Sequence, residues 1–238
     1  MANIASADNN LLVMTFYIIG ISYTFNRMID SIDEKINFTS QKDIISEQLK
    51  EQNIQDDVGI SFKLGATYSL GDLKELLMFV ENKSENLAVY VDWDNSSIVV
   101  EHSKQSYRVI RKSPDITRDL AVPQSPSLVA PKKTLTTTIT AENTFELDKE
   151  SGTYKANKVI VDIASLEKNP VKANRILFKK FMNEETTLQF SLQLVLRISE
   201  VRAGLQPGSN KPPMCIVNCP FVIRKLPWTY ALPWNKKR

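Results

Sequence analysis

Residues Leu11 to Phe25 read LLVMTFYIIGISYTF and carry no charged side chain. Such a segment has to leave water, in a bilayer, in a partner or in a core. A spanning helix needs about 20 mostly apolar residues. The run approaches that length only by taking in the uncharged Asn9, Asn10 and Asn26. The leading expectation is a single membrane span using Leu11, Phe16, Tyr17, Ile18, Ile19, Ile21 and Phe25. A helix lying in the interface or buried in protein is the alternative. A cleaved signal fits least, because MANIASADNN contains Asp8 and no Lys or Arg, and no small-x-small site follows the run. Basic residues begin only afterwards, at Arg27, Lys35 and Lys42. If the segment spans, the positive-inside rule places everything after it in the cytoplasm. Tyr17, Tyr23 and Phe25 suit aromatic anchoring at an interface, or plain core packing.

Beyond the run, Ile29, Ile32 and Ile36 repeat at three and four, which predicts helix across Arg27 to Asn53. NFTS interrupts it. Ser40 and Asp43 resemble a capping box variant ahead of Ile44, Ile45, Gln48 and Leu49. The expected layout is therefore an N-terminal hydrophobic segment at 1–26, a short amphipathic helical connector at 27–55, a β region at 56–225 and a tail at 226–238. Because the apolar run lies outside the β pattern, residues 54–238 are expected to fold without it.

From Val58 the period changes to two. Val58, Ile60, Phe62 and Leu64 alternate, as do Leu87, Val89, Val91 and Trp93. Leu73 to Val80 is nearly all apolar. DNSS and HSKQS read as turns leading into Ile98–Val100 and Tyr107–Ile110. Four prolines between Pro114 and Pro131 predict an extended crossover. Thr134–Thr140, the alternating Val159, Val161 and Ile163, and the apolar run Ile176–Phe181 continue the series. The clearest strand is Leu188 to Ile198, with Leu192 and Leu194 facing the core and Gln193 facing away. Gly204–Pro213 is a loop by composition, and Pro220 demotes the last strand, Ile216–Ile223, to an edge or a bulge. The hairpin run LAVYVDWDNSSIVV…SYRVI and the later LQFSLQLVLRI resemble the general class of immunoglobulin-like β-sandwiches. That resemblance implies a mainly β, antiparallel sandwich, with extra strands because the β region is longer than such a domain. It implies no function.

The chemistry available is thin. The chain has one histidine, His102, and it falls in a turn-like stretch, where it is expected to be exposed. The paired Cys and His residues of a zinc site exceed what one histidine and the cysteines Cys215 and Cys219 supply. Those cysteines, four apart in a strand, are expected to be reduced and buried rather than bonded. Asp92 and Asp94 lack the glycine and the distal glutamate of a calcium loop, so a solvated face and a turn are expected around a buried Trp93. Glycine-rich phosphate loops are absent from the sequence. A net charge of +3 is too even a balance to point to nucleic acid. No cofactor, metal or small-molecule substrate is implied. A hydrolase on a sandwich would require acids clustered on a concave surface.

The tail, KLPWTYALPWNKKR, repeats Leu-Pro-Trp and ends in a basic cluster. Proline predicts an extended segment. Trp228, Tyr230, Trp234, Lys236, Lys237 and Arg238 are the candidate contact residues for a partner or a membrane, the alternative being that the tryptophans cover their own domain. Together these features predict a non-enzymatic structural or assembly subunit, membrane-anchored, docking protein partners of a multi-subunit complex. The alternative is a soluble subunit whose N-terminal segment and C-terminal arm bury in neighbouring protomers.

Overall fold

A computed structural model of the chain describes residues 2–30, 32, 34–112, 122–147, 154–200 and 214–232. Its helices are α1 (Ala2–Asp30), α2 (Lys42–Glu51) and α3 (Lys172–Met182). Its strands are β1 (Lys35–Ser40), β2 (Val58–Lys63), β3 (Tyr68–Ser69), β4 (Leu76–Asn82), β5 (Leu87–Val100), β6 (Gln105–Arg111), β7 (Ser127–Val129), β8 (Thr134–Ala141), β9 (Phe145–Leu147), β10 (Tyr154–Ala156), β11 (Leu188–Glu200) and β12 (Met214–Lys225). Ten of them form one antiparallel sheet in the order β2-β4-β8-β6-β5-β11-β12-β1-β3, with β7 added beside β5. The molecule is thus mainly β, with a curled sheet behind an N-terminal helix.

The curl is visible in the aromatic side chains. Phe190 and Phe221 sit opposite one another on β11 and β12 and stack, with ring centroids 4.7 Å apart. Phe62 of β2, from the far end of the strand order, meets Phe221 edge-on at 4.9 Å. Phe38 of β1 closes on Phe190 at 6.1 Å. The two ends of the sheet therefore face each other across one core, in which edge-to-face and stacked rings add to the area they bury. Leu192 and Leu194 lie fully buried in it, and Gln193 is exposed, as the alternation of β11 requires. The opposite face of β11 is less solvated than expected, because Ser191, Val195 and Ser199 are also buried.

Several segments depart from the sequence expectation, each for a physical reason. The connector 27–55 is not continuous helix: β1 occupies Lys35–Ser40 and is hydrogen-bonded between β12 and β3. Ile36 belongs to a strand, so its spacing from Ile29 and Ile32 carries no helical meaning. Ser40 caps nothing; Gln41 precedes α2 without a side-chain cap, and Ser40 Oγ is buried without a partner among the described residues. Pro220 lies in a central strand. It sits where β1 ends: Gln41 N–H donates to the Pro220 carbonyl, and the N–H that proline lacks leaves the Gln41 carbonyl to accept from Ile45 at the start of α2. Past that point α2 takes over from β1. Gln48 Oε1 accepts from Asn218 N–H at 2.6 Å, and Gln52 Nε2 donates to the Ile216 carbonyl at 2.8 Å. Two side chains one helical turn apart thereby cover an otherwise open strand edge.

DNSS is not a turn between strands. It is a bulge inside β5, where Gln193 pairs with Ser97 but Val195 pairs with Asp92. Ser96 Oγ accepts the Val195 N–H at 3.0 Å and donates to the Asp92 carbonyl, standing in for ladder bonds. Ile176–Phe181 belongs to helix α3, and Val159, Val161 and Ile163 lie in a loop rather than a strand, with Val161 and Ile163 buried. The crossover holds no helix or turn at Pro123 and Pro126, where Gln124 donates to the Val109 carbonyl at 2.7 Å, but Pro131 lies in a tight turn that the Lys133 N–H closes on the Ala130 carbonyl at 3.1 Å; Pro114 and the Gly204–Pro213 loop lie outside the described residues.

The core includes Ile36 and Phe38 of β1 and Ile45 and Leu49 of α2. A chain starting at residue 54 lacks all four and an interior strand, so the expected fold boundary moves to the end of α1. A protein beginning at residue 31 should give a cooperative melt and a β-type circular dichroism spectrum, whereas one beginning at residue 54 should give neither.

Candidate membrane-anchoring site

Helix α1 has no proline and one glycine, Gly20, so nothing in it breaks the backbone ladder. At 1.5 Å per residue its 29 residues extend about 43 Å. Residues Asn10–Asp30 are long and apolar enough to cross a membrane, with a mean hydropathy of 1.2 and none of the segment buried. Length and composition of this kind are shared by signal sequences and by core helices of soluble proteins. Here, however, the fold does not cover the helix: Leu11, Phe16, Tyr17, Ile18, Ile19, Ile21 and Phe25 are all exposed. They surround the helix, which is the pattern of a helix buried on every side rather than docked by one face. Its two threonine hydroxyls are satisfied internally. Thr15 Oγ1 donates to the Leu11 carbonyl at 2.8 Å, and Thr24 Oγ1 to the carbonyls of Gly20 and Ile21 at 3.0 and 2.9 Å. Neither threonine needs water or an external partner.

The foot of the helix is fastened to the sheet. Ile32 is buried just beyond the last turn, and its carbonyl accepts from Lys35 N–H at 2.9 Å and from Lys225 Nζ at 3.2 Å. Lys225, itself buried at the end of β12, also donates to the Leu226 carbonyl at 3.0 Å. Leu226 N–H in turn donates to the Lys35 carbonyl at 3.0 Å. An ammonium among carbonyls at the end of a helix is favourably placed against the helix dipole. Sequence reasoning passed over Lys225, because a lysine ending a strand gives no local sign that it will turn inward.

The tail is not extended where it is described. Trp228–Ala231 forms a single 3₁₀ turn, because Pro227 fixes the backbone ahead of it and Tyr230 N–H closes on the Pro227 carbonyl at 2.9 Å. Trp228 is half-exposed, and its ring meets Phe25 edge-on at 6.2 Å. Tyr230 is half-buried in the same turn. The structure thus brings Phe25 of the apolar helix and Trp228 of the tail together at one point. Trp234, Lys236, Lys237 and Arg238 lie outside the described residues.

Asp92 is buried rather than solvated: burial alone would raise its pKa, but hydrogen bonds from Asn95 and the Arg197 guanidinium outweigh that and hold it below the ordinary carboxylate range. Trp93 is buried and donates to Ser127 Oγ at 2.9 Å. Cys215 and Cys219 are buried and form no disulfide, and burial pushes the Cys219 thiol up to about 12. Among the described residues no three His, Cys, Asp or Glu side chains converge where a metal ion could be held. His102 lies in the turn between β5 and β6 as expected, but half-buried, and its Nδ1 has no partner among the described residues. Burial lowers its pKa, with Asp162 partly opposing.

No protein-family model matches this chain, and no curated protein does. A solved structure of a protein from Archaeoglobus fulgidus is similar at 10% identity, over 68% of this chain and 92% of that one, with a TM-score of 0.24. An overlay that loose carries no argument about fold or function.

Two outcomes follow. Lys225→Met leaves the Ile32 and Leu226 carbonyls short of a donor and should cost about 1–3 kcal/mol, whereas Trp228→Ala removes one edge contact and should cost about 0.5–1.5 kcal/mol; thermal melting of both variants checks the order. His102 binds protons less readily folded than unfolded, so its contribution is complete above the ordinary histidine pKa and is lost as pH falls through and below about 6.5. Melting temperature should therefore fall between about pH 8 and pH 5, and His102→Gln should flatten that slope while leaving the acid loss below about pH 4, to which Asp92 contributes.

Proposed function

We propose that this chain is a non-enzymatic structural or assembly subunit, held to a membrane by a single span and presenting its β domain to protein partners in the cytoplasm. The observation that carries this reading is α1, apolar on every side and uncovered by its own sheet. Leaving its eleven exposed large apolar side chains in water would forgo roughly 10–20 kcal/mol. That matches or exceeds the whole stability of a typical domain. The orientation rests on charge: there is no Lys or Arg in residues 1–10, and Arg27 and Lys35 follow the span. Trp228 beside Phe25 supports an aromatic contact at the level where the helix would leave the bilayer. For the β domain, the facing of Phe62 and Phe221 across the core supports describing the curled sheet as two layers of a sandwich with extra strands.

The test is extraction. Full-length protein should stay in the membrane pellet through an alkaline carbonate wash. Ile18→Asp combined with Ile21→Asp should release it, since each charge at a span centre costs about 2.5–3.5 kcal/mol. Wild-type protein that washes off and sediments as a soluble oligomer would favour the alternative, in which α1 and the tail bury in neighbouring protomers.

A further inference from the structure

Helix α3 has the sequence KANRILFKKFM, without an acidic residue. Its inner face is apolar: Phe181 is fully buried, and Leu177, Phe178 and Met182 pack on the core. Its outer face consists of Lys172, Arg175, Ile176, Lys179 and Lys180, all exposed. At 100° per residue these positions form one contiguous stripe, with Ile176 among four cations. None of the four forms an ion pair among the described residues. The stripe is unlike the rest of the chain, in which 26 Lys and Arg residues are set against 27 Asp and Glu.

The position of α3 gives this face its meaning. The helix leads through residues 183–187 into β11, which begins with Leu188 paired to Ile223 of β12. β1 begins beside Lys225, the residue that holds the foot of α1. Two residues along a strand are about 7 Å, and α3 itself packs against β12. The basic stripe and the apolar helix therefore belong to the same end of the sheet.

We propose that the outer face of α3 docks on the anionic lipid headgroups of the membrane in which α1 is anchored, with Ile176 entering the headgroup boundary. The inference rests on the anchor reading. A helix with cations around an apolar residue, brought to a bilayer surface by a covalent tether, meets the requirements of interfacial binding. Each basic side chain near an anionic surface contributes on the order of fivefold to the attraction. The docked helix gives the β domain a second contact with the bilayer, beside the span.

The test uses the full chain in vesicles of phosphatidylcholine alone and of equal parts phosphatidylcholine and phosphatidylglycerol. Ile176→Cys is labelled with an environment-sensitive nitrobenzoxadiazole dye; Cys215 and Cys219 are buried and should not react. The label should emit more strongly and to the blue on the anionic vesicles only, and the change should reverse at high salt. Lys172→Glu, Arg175→Glu, Lys179→Glu and Lys180→Glu combined should reduce the response at least about tenfold, with an unchanged melting temperature because all four are exposed. Flotation reads the anchor separately and should occur with both vesicle types. Flotation with both but equal emission in both overturns the docking while leaving the anchor intact. A response to nucleic acid or to an acidic polypeptide as large as that to the anionic vesicles also overturns it. Failure to float with either overturns the anchor and the docking together.

Discussion

A helix that is apolar all round has to be taken out of water by something outside its own fold. That requirement falls on α1 and organises the rest of the molecule around one end of the sheet. Among the described residues the sheet does not cover α1, and its core is filled by rings that include Phe38, Phe62, Phe190 and Phe221. What the sheet supplies is a foot, in which Lys225, Lys35 and Leu226 hold the turn after the helix by backbone carbonyls. A fastening of this kind transmits the position of the helix to β1 and β12, two adjacent strands. The end of α1 and the β domain are thus joined through Ile32, whose carbonyl Lys225 holds.

The same economy appears at the opposite end of β1. The strand stops at Ser40, and Pro220 lies opposite with no N–H to leave unsatisfied. Gln48 and Gln52 then bond the exposed edge of β12 from α2. A covered edge does not recruit another strand. That edge is thus occupied by side chains, whereas α1, Trp228 and the basic face of α3 lie toward the other end of β12.

How far the fold was legible varied with how many faces each element buries. β11 was read correctly because one face alternates strictly, Leu188 to Ile198. β1 was misread because Ile36 and Phe38 are the only buried side chains of a six-residue strand, and Ile29, Ile32 and Ile36 imitate a helical stripe. α3 was misread for the converse reason: Ile176, Leu177 and Phe178 are consecutive, and consecutive apolar residues do not distinguish a buried strand from a helix. The run also concealed that Ile176 faces outward among the cations. The bulge at Asp92–Ser96 was unreadable because its defining bonds join Ser96 to Val195, ninety-nine residues away. Of the site, α1 was legible from composition and Trp228 from its rarity. Lys225 was not, since its role depends on where the chain ends up after two strands have paired.

Depth of α1 in a bilayer tests the account most directly. Spin labels placed singly at Leu11, Ile18 and Phe25 of the full chain in vesicles report how far each lies from the surface. The account predicts that the label at Ile18 is deepest and that those at Leu11 and Phe25 are shallow, on opposite sides. Equal shallow depths at all three positions, or labels that respond only to soluble relaxation agents, would contradict it.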